Sequence, residues 1–297
     1  MNPKQNTTQQ STTNNRAKVP VSVLILTRNE EVNIQACLNA LDFSDDIVVF
    51  DSYSSDQTVA IAQQNNARVV QRKFDNYAAQ RNAALNQVKY KNPWIFMIDA
   101  DEKPGPTLIK EISAIVQAQE NNPITLYRMR RKDHFFGKWI KHSSAYPTWF
   151  GRLFKAGQVT VQRQINEEYH TNGKIGHLKG HLLHQPFSKG IADWLDRHNK
   201  YSSMEAPTLI QEVKSKLKIT NLFSSDPTIR RKCLKQIAYR LPFRLTLIFI
   251  YLYIFRLGIL DGKAGYAYCK LRSMYEYMIQ LKIKEIKNKD KNKDKEI

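Results

Sequence analysis

The first hundred residues alternate between short apolar runs and stretches with helical spacing. The run VPVSVLILT begins at Val19 and is rich in β-branched residues, which is typical of a strand buried on both faces. Similar runs follow at residues 47–50 (IVVF), 67–74 (ARVVQRKF) and 94–98 (WIFMI). Each of these runs predicts a further strand.

Helical patterns separate the apolar runs. Residues 29–41 place apolar side chains on one face after early acidic residues, with Asn29 as the expected N-cap. Residues 54–67 predict a second helix capped by Ser55 or Asp56, and residues 77–88 predict a third. Strands that alternate with helices in this way predict an α/β fold with a parallel sheet and crossover helices.

Polar side chains stand where these strands end. They are Thr27, Arg28, Asn29 and Glu30 after the first strand, Asp51 after the second, and Asp99 and Asp101 after the fourth. Because ligands of such sheets bind beyond the carboxyl ends of the strands, we expect these residues to form one site. The chain has neither a Gly-x-Gly-x-x-Gly motif after the first strand nor a Gly-Lys-Ser/Thr loop, which disfavours dinucleotide-dependent enzymes and P-loop nucleotidases.

The residue types at these strand ends suit a nucleoside diphosphate and a divalent cation. Two carboxylates separated by one residue, Asp99 and Asp101, can approach one Mg²⁺ or Mn²⁺ ion, which completes its shell with phosphate and water oxygens. Such an ion neutralises the charge that develops on a departing diphosphate. Acidic pairs at strand ends are also common as solvated turns or helix caps.

Other side chains near this edge have two possible roles each. Asp51 can accept a hydrogen bond from a base or ribose, or cap the next helix, and Thr27 and Glu30 can bind the base and ribose. Arg28 can contact phosphate or form a surface pair. Arg81, in the third helix, can pair with a diphosphate or with a carboxylate in the core.

The formal net charge of +19 predicts attraction to a polyanionic surface, either nucleic acid or anionic lipid. From Arg230 onwards, 17 Lys and Arg face 6 Asp and Glu, a net charge of +11. The same region contains the run LPFRLTLIFIYLYIFRLGIL at residues 241–260. Its uncharged part, residues 245–255, is too short to cross a hydrocarbon core of about 30 Å, so an interfacial or re-entrant helix is expected, with the flanking Arg244 and Arg256 reaching phosphate headgroups. A buried packing or dimerisation helix is the alternative.

Both ends of the chain read as tails, and the cysteines fit no metal or disulfide template. Residues 1–18 are polar and contain no apolar stretch typical of a signal peptide, so a disordered tail is predicted. Residues 282–297 are strongly charged and predict a tail or a fraying helix end. Cys37, Cys233 and Cys269 are widely spaced, which favours buried thiols in a reducing compartment.

Several motifs in combination resemble glycosyltransferase family 2. VSVLILTRNEE, FDSYSSDQT, Gln80-Arg81-Asn82 and IDADE are similar to the N-terminal half of that family, more narrowly to the branch that adds glucose to heptose of the lipopolysaccharide inner core. The resemblance continues to about Lys282. It implies a GT-A fold, a UDP-linked sugar donor, a divalent metal ion, and inversion at the anomeric carbon. It also matches Asp51 to the base-binding acid, Asp99 with Asp101 to the metal motif, and Glu30 to the nucleotide-binding first loop.

Inversion in one displacement requires a base that takes the proton of the acceptor hydroxyl. The resembling family has a His-Glu pair where this chain reads Ile165-Asn166-Glu167-Glu168, so Glu167 is the predicted base, with Glu168 and Asp133 as alternatives. His184 can reach the metal or diphosphate, or serve as a hydrogen-bonded structural residue. Trp139, Tyr146 and Trp149 can stack on sugar rings or pack in the core.

These observations predict four regions and one activity. The regions are a tail (1–18), a GT-A catalytic domain (19–205), a basic helical region at the membrane surface (206–283) and a charged tail (284–297). The expected activity is transfer of a hexose, with glucose as the first candidate, from a nucleotide-sugar donor, with UDP-linked donors as the first candidates, to a lipopolysaccharide core glycolipid on the cytoplasmic face of the bacterial inner membrane. Alternatives are other family 2 acceptors, a non-catalytic paralogue, and a nucleic-acid-binding protein, whose phosphate ligands the three aspartates would repel in the absence of a metal. We therefore expect no nucleic-acid partner.

Overall fold

A nine-stranded mixed sheet forms the centre of the residues that the computed structural model describes: 18–118, 122–162, 168–214, 219–223, 230, 233–234, 236–237 and 243–293. Its strands are β1 Val19–Thr27, β2 Ser44–Asp51, β3 Arg68–Gln71, β4 Trp94–Asp99, β5 Glu102–Pro104, β6 Ile124–Phe135, β7 Lys138–Trp139, β8 Trp149–Lys155 and β11 Lys174–His184. The strands β9 Val159–Gln162 and β10 Glu168–Thr171 form a separate hairpin.

The helices are α1 Glu31–Ala40, α2 Thr58–Gln64, α3 Tyr77–Gln87, α4 Pro106–Gln117, α5 Gly190–Lys214, α6 Arg244–Ile250 and α7 Gly262–Lys293. Short 3₁₀ helices lie at Ile219–Phe223 and Gly258–Asp261, and a π-helical turn continues α6 over Tyr251–Phe255. Apolar side chains of α1, α2 and α4 cover one face of the sheet, and those of α3 and β9 cover the other. This is the mixed α/β arrangement, mostly parallel in its first half, of a GT-A-like fold.

The sheet order β3-β2-β1-β4-β8-β6-β11-β5 joins a parallel half to a mixed half. Four interstrand steps separate β4 from β5, which is roughly 19 Å in a flat sheet. Asp99 ends β4 and Glu102 begins β5, so only about 11 Å of chain is available to connect them. The sheet therefore curls, and the ends of β4, β5, β6 and β11 face one another inside the curl.

The predicted strands and helices of the parallel half are present, with small differences at their ends. Asn29 does not cap α1: the N-cap is Glu30, and Asn29 adopts a left-handed φ of 54° and accepts a hydrogen bond from the Ser55 backbone N–H at 2.8 Å. The N-cap of α2 is Gln57 rather than Ser55 or Asp56, although the Asp56 carboxylate does accept the Thr58 N–H at 3.0 Å. Loop-to-loop bonds replace the predicted caps because the ends of β1 and β2 lie side by side.

The C-terminal helices pack against the sheet domain and against each other. Trp194 and Leu209 of α5 pack on Tyr275 and Ile279 of α7, while Ala264 of α7 packs near Phe135 at the end of β6. The boundary predicted between residues 205 and 206 falls within α5, and α7 extends the helix into the predicted 284–297 tail. Residues 1–17, most of the predicted N-terminal tail, lie outside the described residues.

The cations that flank the apolar run have partners in the protein. Arg244, expected to reach lipid headgroups, is buried and pairs with Glu276 of α7. Arg256 contacts the Tyr146 carbonyl at 3.5 Å. In the described part of the chain no single helix has the length and apolar composition of a membrane span, whereas the pair Arg244–Phe255 and Gly258–Lys289, bent by 73°, meets those criteria jointly. All three cysteines are buried free thiols, as predicted.

Asp261 fastens the corner between α6 and α7 to the sheet domain. One of its buried carboxylate oxygens accepts hydrogen bonds from the His142 N–H (2.9 Å), the Ser143 N–H (2.8 Å) and the Ser143 hydroxyl (2.7 Å). The Ile140 N–H, in the same loop, donates to the Asp133 carbonyl at 3.0 Å. The loop is thus held at one end by β6 and at the other by Asp261.

We predict that Asp261→Ala lowers the free energy of unfolding by about 2–4 kcal/mol, because three donors lose their acceptor in a buried site. Asp196→Ala is the matched control, since Asp196 is exposed on α5 and we expect a change within about 0.5 kcal/mol. Urea denaturation measures both values. Equal stability of the two variants would contradict the assigned role of Asp261.

Candidate active site

Eight charged side chains form a continuous series of contacts inside the curl of the sheet. The series runs Arg81–Asp99 (3.4 Å), Asp99–Arg152 (2.6 Å), Arg152–Glu102 (2.9 Å), Glu102–Arg131 (3.4 Å), Arg131–Asp133 (3.0 Å), Asp133–His184 (2.7 Å) and His184–Asp101 (3.3 Å). These residues come from α3, β4, β5, β6, β8, β11 and the β4–β5 turn. We call this set the charge network.

Strand register explains why these side chains meet. His184 of β11 lies opposite Asp133 of β6 on one side and Glu102 of β5 on the other. The Asp99 N–H also donates to the Glu102 carboxylate at 3.1 Å, which closes the β4–β5 turn. Glu102 is fully buried and contacts two arginines, so it is the centre of the network.

The network shifts the pKa values of Asp99 and His184 so that both groups stay charged. Burial alone would raise the pKa of Asp99, but Arg152 and Arg81 outweigh it and hold the pKa well below its usual range. Burial and Arg131 lower the pKa of His184, but Asp101 and Asp133 outweigh both and raise it to about 9. The network thus joins four acidic side chains to three arginines and to His184, which is charged at neutral pH.

Asp51 lies at the same edge of the sheet, two strands from Asp99. The register pairs Thr27 of β1 with Asp51, and Leu26 with Asp99. Asp51 is fully buried and accepts hydrogen bonds from the Thr27 hydroxyl (2.9 Å), the Ser54 N–H (2.8 Å) and Gln71 (3.1 Å). Asp51 is thus fixed in place by donors from β1, β3 and the β2–α2 loop.

The first loop places its other predicted residues at different depths. Arg28 and Asn29 are exposed at this edge. Glu30 is half-buried, pairs with Lys189 at 2.5 Å and accepts a hydrogen bond from Asn33 at 2.7 Å. Burial raises the pKa of Glu30 even though Lys189 opposes the shift. The seven strand-end residues therefore share one edge, as predicted: Thr27, Arg28, Asn29, Glu30, Asp51, Asp99 and Asp101.

The Gln80-Arg81-Asn82 stretch has a different task at each position. Gln80 bonds the Ser52 hydroxyl at 3.0 Å and so supports the β2–α2 loop. Arg81 is buried and reaches Asp99, which is the carboxylate partner considered for it. Asn82 both donates to the Val161 carbonyl and accepts the Val161 N–H, at 2.8 Å each, which docks the β9–β10 hairpin beside the network.

The family model for Glycosyl transferase family 2 matches residues 22–177, more than half of the 297 residues. The chain belongs to glycosyltransferase family 2. The match contains Asp51, Asp99 and Asp101 and all of the charge network except His184.

Relatives found by sequence comparison carry glycosyltransferase names. The lipopolysaccharide core biosynthesis glycosyltransferase LpsC of Rhizobium meliloti is 28% identical over 206 residues, 66% of this chain and 74% of LpsC. An uncharacterized glycosyltransferase of Rickettsia felis is 27% identical over 205 residues, 65% of this chain and 71% of that protein.

Solved structures resemble this transferase only distantly. S. aureus TarS aligns with a TM-score of 0.42 and 15% identity over 89% of this chain and 87% of that chain. Glucosyl-3-phosphoglycerate synthase from Mycobacterium tuberculosis, in complex with Mn²⁺, UDP-glucose and phosphoglyceric acid, aligns with a TM-score of 0.32 and 20% identity over 38% and 44% of the two chains. Both scores are too low to support an argument about this transferase.

The donor atoms at the edge fit a hard divalent cation that also binds phosphate. Among the described residues no group of three or more His, Cys, Asp and Glu side chains could hold a metal alone. Asp101 and His184 are 3.3 Å apart, and Asp133 orients the other ring nitrogen of His184. Mg²⁺ commonly takes few protein ligands and obtains the rest from substrate phosphates and water, so Asp101 suits it, and the Nε2 of His184 can join as a ligand once it has released its proton. The oxygens of Asp99 already face two arginines, which leaves Asp101 as the better placed of the two aspartates.

Of the three candidates for the base, the structure describes Glu168 and Asp133 but not Glu167. Glu167 lies outside the described residues, in the segment between β9 and β10. Glu168 is about half exposed at the start of β10. Burial raises the pKa of Asp133, but Arg131 and His184 outweigh it and lower the pKa, so Asp133 is a poor proton acceptor. Asp133 therefore serves to position His184.

Most of the arginine and lysine side chains of this site were not predicted from the sequence. Arg131 and Lys189 had no assigned role, and Glu102 was noted only as part of IDADE. The alternation within β6, which places Arg131 and Asp133 on the same face, was the available signal. It is hidden by the basic run Arg128–Lys132, in which neighbouring cations point to opposite faces.

We predict that Glu102→Gln lowers the free energy of unfolding by about 3 kcal/mol or more, because the buried Arg152 and the partly buried Arg131 lose a shared counter-charge. Asp101→Asn is the matched control at the edge of the network. We expect a loss below about 1 kcal/mol there, since His184 can release its proton when its partner becomes neutral. A smaller loss for Glu102→Gln than for Asp101→Asn in urea denaturation would refute the central position of Glu102.

Proposed function

We propose that this transferase moves a hexose, with glucose as the first candidate, from a UDP-linked donor to a lipopolysaccharide-core glycolipid at the membrane surface, with Mg²⁺ or Mn²⁺ as cofactor. The observation that carries the proposal is the placement of Asp51 and of the Asp101–His184 pair at one edge of the sheet, on either side of the end of β1. That spacing provides for a nucleoside at Asp51 and a diphosphate near Asp101.

The roles of the chain's own residues follow from their surroundings. Asp101 and His184 would hold the metal ion, which when bound neutralises charge on the departing diphosphate. Arg81 and Arg152 keep Asp99 ionised and fixed, so its orientation needs no reorganisation during the reaction. Lys189 lies at the other side of the edge, on Glu30, and adds positive charge next to the phosphate position.

Attraction to a membrane is supported by exposed apolar side chains. Nine large apolar residues between 243 and 260 are exposed, among them Phe243 (80%), Phe255 (74%) and Leu260 (66%). We call residues 243–260 the apolar corner. Exposed apolar surface of this extent, joined to a strongly basic C-terminal region, suits the interface of an anionic bilayer. The name of the related LpsC supports a core glycolipid as acceptor.

A donor screen by thermal shift tests the nucleotide and the metal. With Mn²⁺ present we expect UDP-glucose to raise the melting temperature more than GDP- or CDP-sugars do, and EDTA to remove the effect, because ligand binding stabilises the folded state. We expect Asp101→Asn to lose the metal-dependent part of the shift. Lys110→Gln, an exposed change on α4, should keep it. A shift by UDP-glucose that survives both EDTA and Asp101→Asn would refute the metal assignment.

The base is tested by a pair of neighbouring variants. We expect Glu167→Gln to reduce kcat by about 10²–10⁴-fold with intact binding of UDP-glucose, since a proton acceptor is lost and the donor site is not. Glu168→Gln is the control and should keep most of the activity. The opposite ranking would assign the base to Glu168, and full activity of Glu167→Gln would exclude Glu167.

Flotation with vesicles tests the membrane surface. We expect the full chain to float with vesicles that contain anionic lipid at low salt. The double variant Phe255→Ser, Leu260→Ser should reduce partitioning more than tenfold, because burial of two such side chains provides about 3 kcal/mol. Val32→Ser, at an exposed apolar residue of α1, is the control. Equal flotation of the double variant and the control would remove the apolar corner from the proposal.

A further inference from the structure

A cationic and aromatic surface lies on the side of β6 opposite to the charge network. Successive residues of a strand point to opposite faces, so Arg130 and Lys132 point away from Arg131 and Asp133. The register places Trp149 of β8 and His181 of β11 beside Arg130. We call Arg130, Lys132, Trp139, Lys141, Tyr146 and Trp149 the basic–aromatic face.

Cations and rings on this face are in contact. The Arg130 guanidinium lies 5.5 Å from the Trp149 ring centroid and 6.0 Å from that of Tyr146. The Lys132 ammonium lies 4.3 Å and the Lys141 ammonium 5.8 Å from the ring of Trp139. The rings therefore flank the cations, and the Arg130 guanidinium also donates a hydrogen bond to the Lys179 carbonyl.

The positive charge of this face is not compensated, unlike that of the network behind it. Among the described residues no Asp or Glu lies within 4 Å of Arg130, Lys132 or Lys141 as a salt-bridge partner. Trp149 is 40% exposed and offers an open ring beside the cations. The ring keeps exposed surface although His177 makes a T-shaped contact with it at 4.8 Å, and the cations beside it have no carboxylate partner among the described residues. Such a surface suits a ligand that has both apolar CH surfaces and negative charge.

We infer that the basic–aromatic face binds an anionic oligosaccharide, that is, sugar rings that carry phosphate or carboxylate groups, as the part of the acceptor remote from the reacting hydroxyl. This inference rests on the proposed function. Lys132 of this face is the chain neighbour of Asp133 in the network, and Arg256 of the apolar corner contacts the Tyr146 carbonyl. A glycolipid with its acyl chains at the apolar corner would meet this face before it reaches the edge that carries Asp101.

The arrangement fits a saccharide better than a nucleic acid or a plain lipid surface. Single-stranded nucleic acid uses successive open aromatic platforms, whereas Trp149 is the open ring here and Trp139 and Tyr146 are packed edge to face at 5.0 Å. Insertion into lipid requires apolar side chains, which the apolar corner supplies and this face does not.

Titration calorimetry tests the inference. It measures binding of a de-acylated, phosphorylated inner-core oligosaccharide to the full-length protein. We expect Arg130→Ser with Lys132→Ser to weaken Kd at least tenfold, and Trp149→Ala to do the same. Lys284→Ser with Lys287→Ser, which removes equal charge from exposed positions of α7, should leave Kd unchanged. Trp149→Phe should retain binding, and the wild type should bind the phosphatase-treated oligosaccharide more weakly.

Unchanged affinity in the Arg130/Lys132 and Trp149→Ala variants would overturn the inference. So would variants that lose binding to anionic vesicles or to a uridine oligonucleotide while they keep the oligosaccharide. The metal-dependent thermal shift with UDP-glucose is measured in the same variants and should not change. Absence of this thermal shift in the wild type would refute the proposed donor chemistry. A loss of oligosaccharide binding in the variants would in that case still support the basic–aromatic face as a binding surface.

Discussion

The charge network is the constraint on which this structure depends. Removal of a carboxylate or guanidinium from water is costly, and each buried charge here is tolerated only because an opposite charge lies beside it. Glu102 shows the requirement most clearly, since it is fully buried and is shared between Arg131 and Arg152. Its position forces β5, β6 and β8 to meet at one point, and the curl of the sheet is the geometry that permits this.

The same balance determines what the catalytic edge can offer. Asp99 is committed to two arginines, so its charge is fixed and its oxygens have limited freedom. Asp101 stands at the end of the series, pairs there with His184, and lies in the β4–β5 turn at the edge. The two aspartates of one motif therefore differ in their surroundings and in the roles proposed for them, a distinction that the Asp-x-Asp pattern alone does not contain.

The parallel half of the fold was predictable because its signals are local. Apolar runs at β1, β2 and β4 and the acids that follow them are contiguous in sequence, and the family 2 resemblance agrees with them. The positive half of the site was not predictable, because Arg131 and Arg152 enter through strand pairings between residues far apart in the chain. Asn29 was misjudged as a cap for the same reason: its partner, Ser55, belongs to a neighbouring loop. Arg244 was expected at lipid headgroups, but it pairs with the carboxylate of Glu276, which is 32 residues away in the chain.

The path from the apolar corner to the network shows why the C-terminal helices belong to the catalytic unit. Asp261 holds Ser143, and the Ile140 N–H in the same loop binds the carbonyl of Asp133, whose side chain orients His184. Two short links thus separate the corner from the proposed metal-binding pair. An enzyme that acts on a headgroup tethered to a bilayer needs its reacting edge at a fixed height above that surface. Under the proposed function, the connection through Asp261 and the loop at residues 140–143 would set that height.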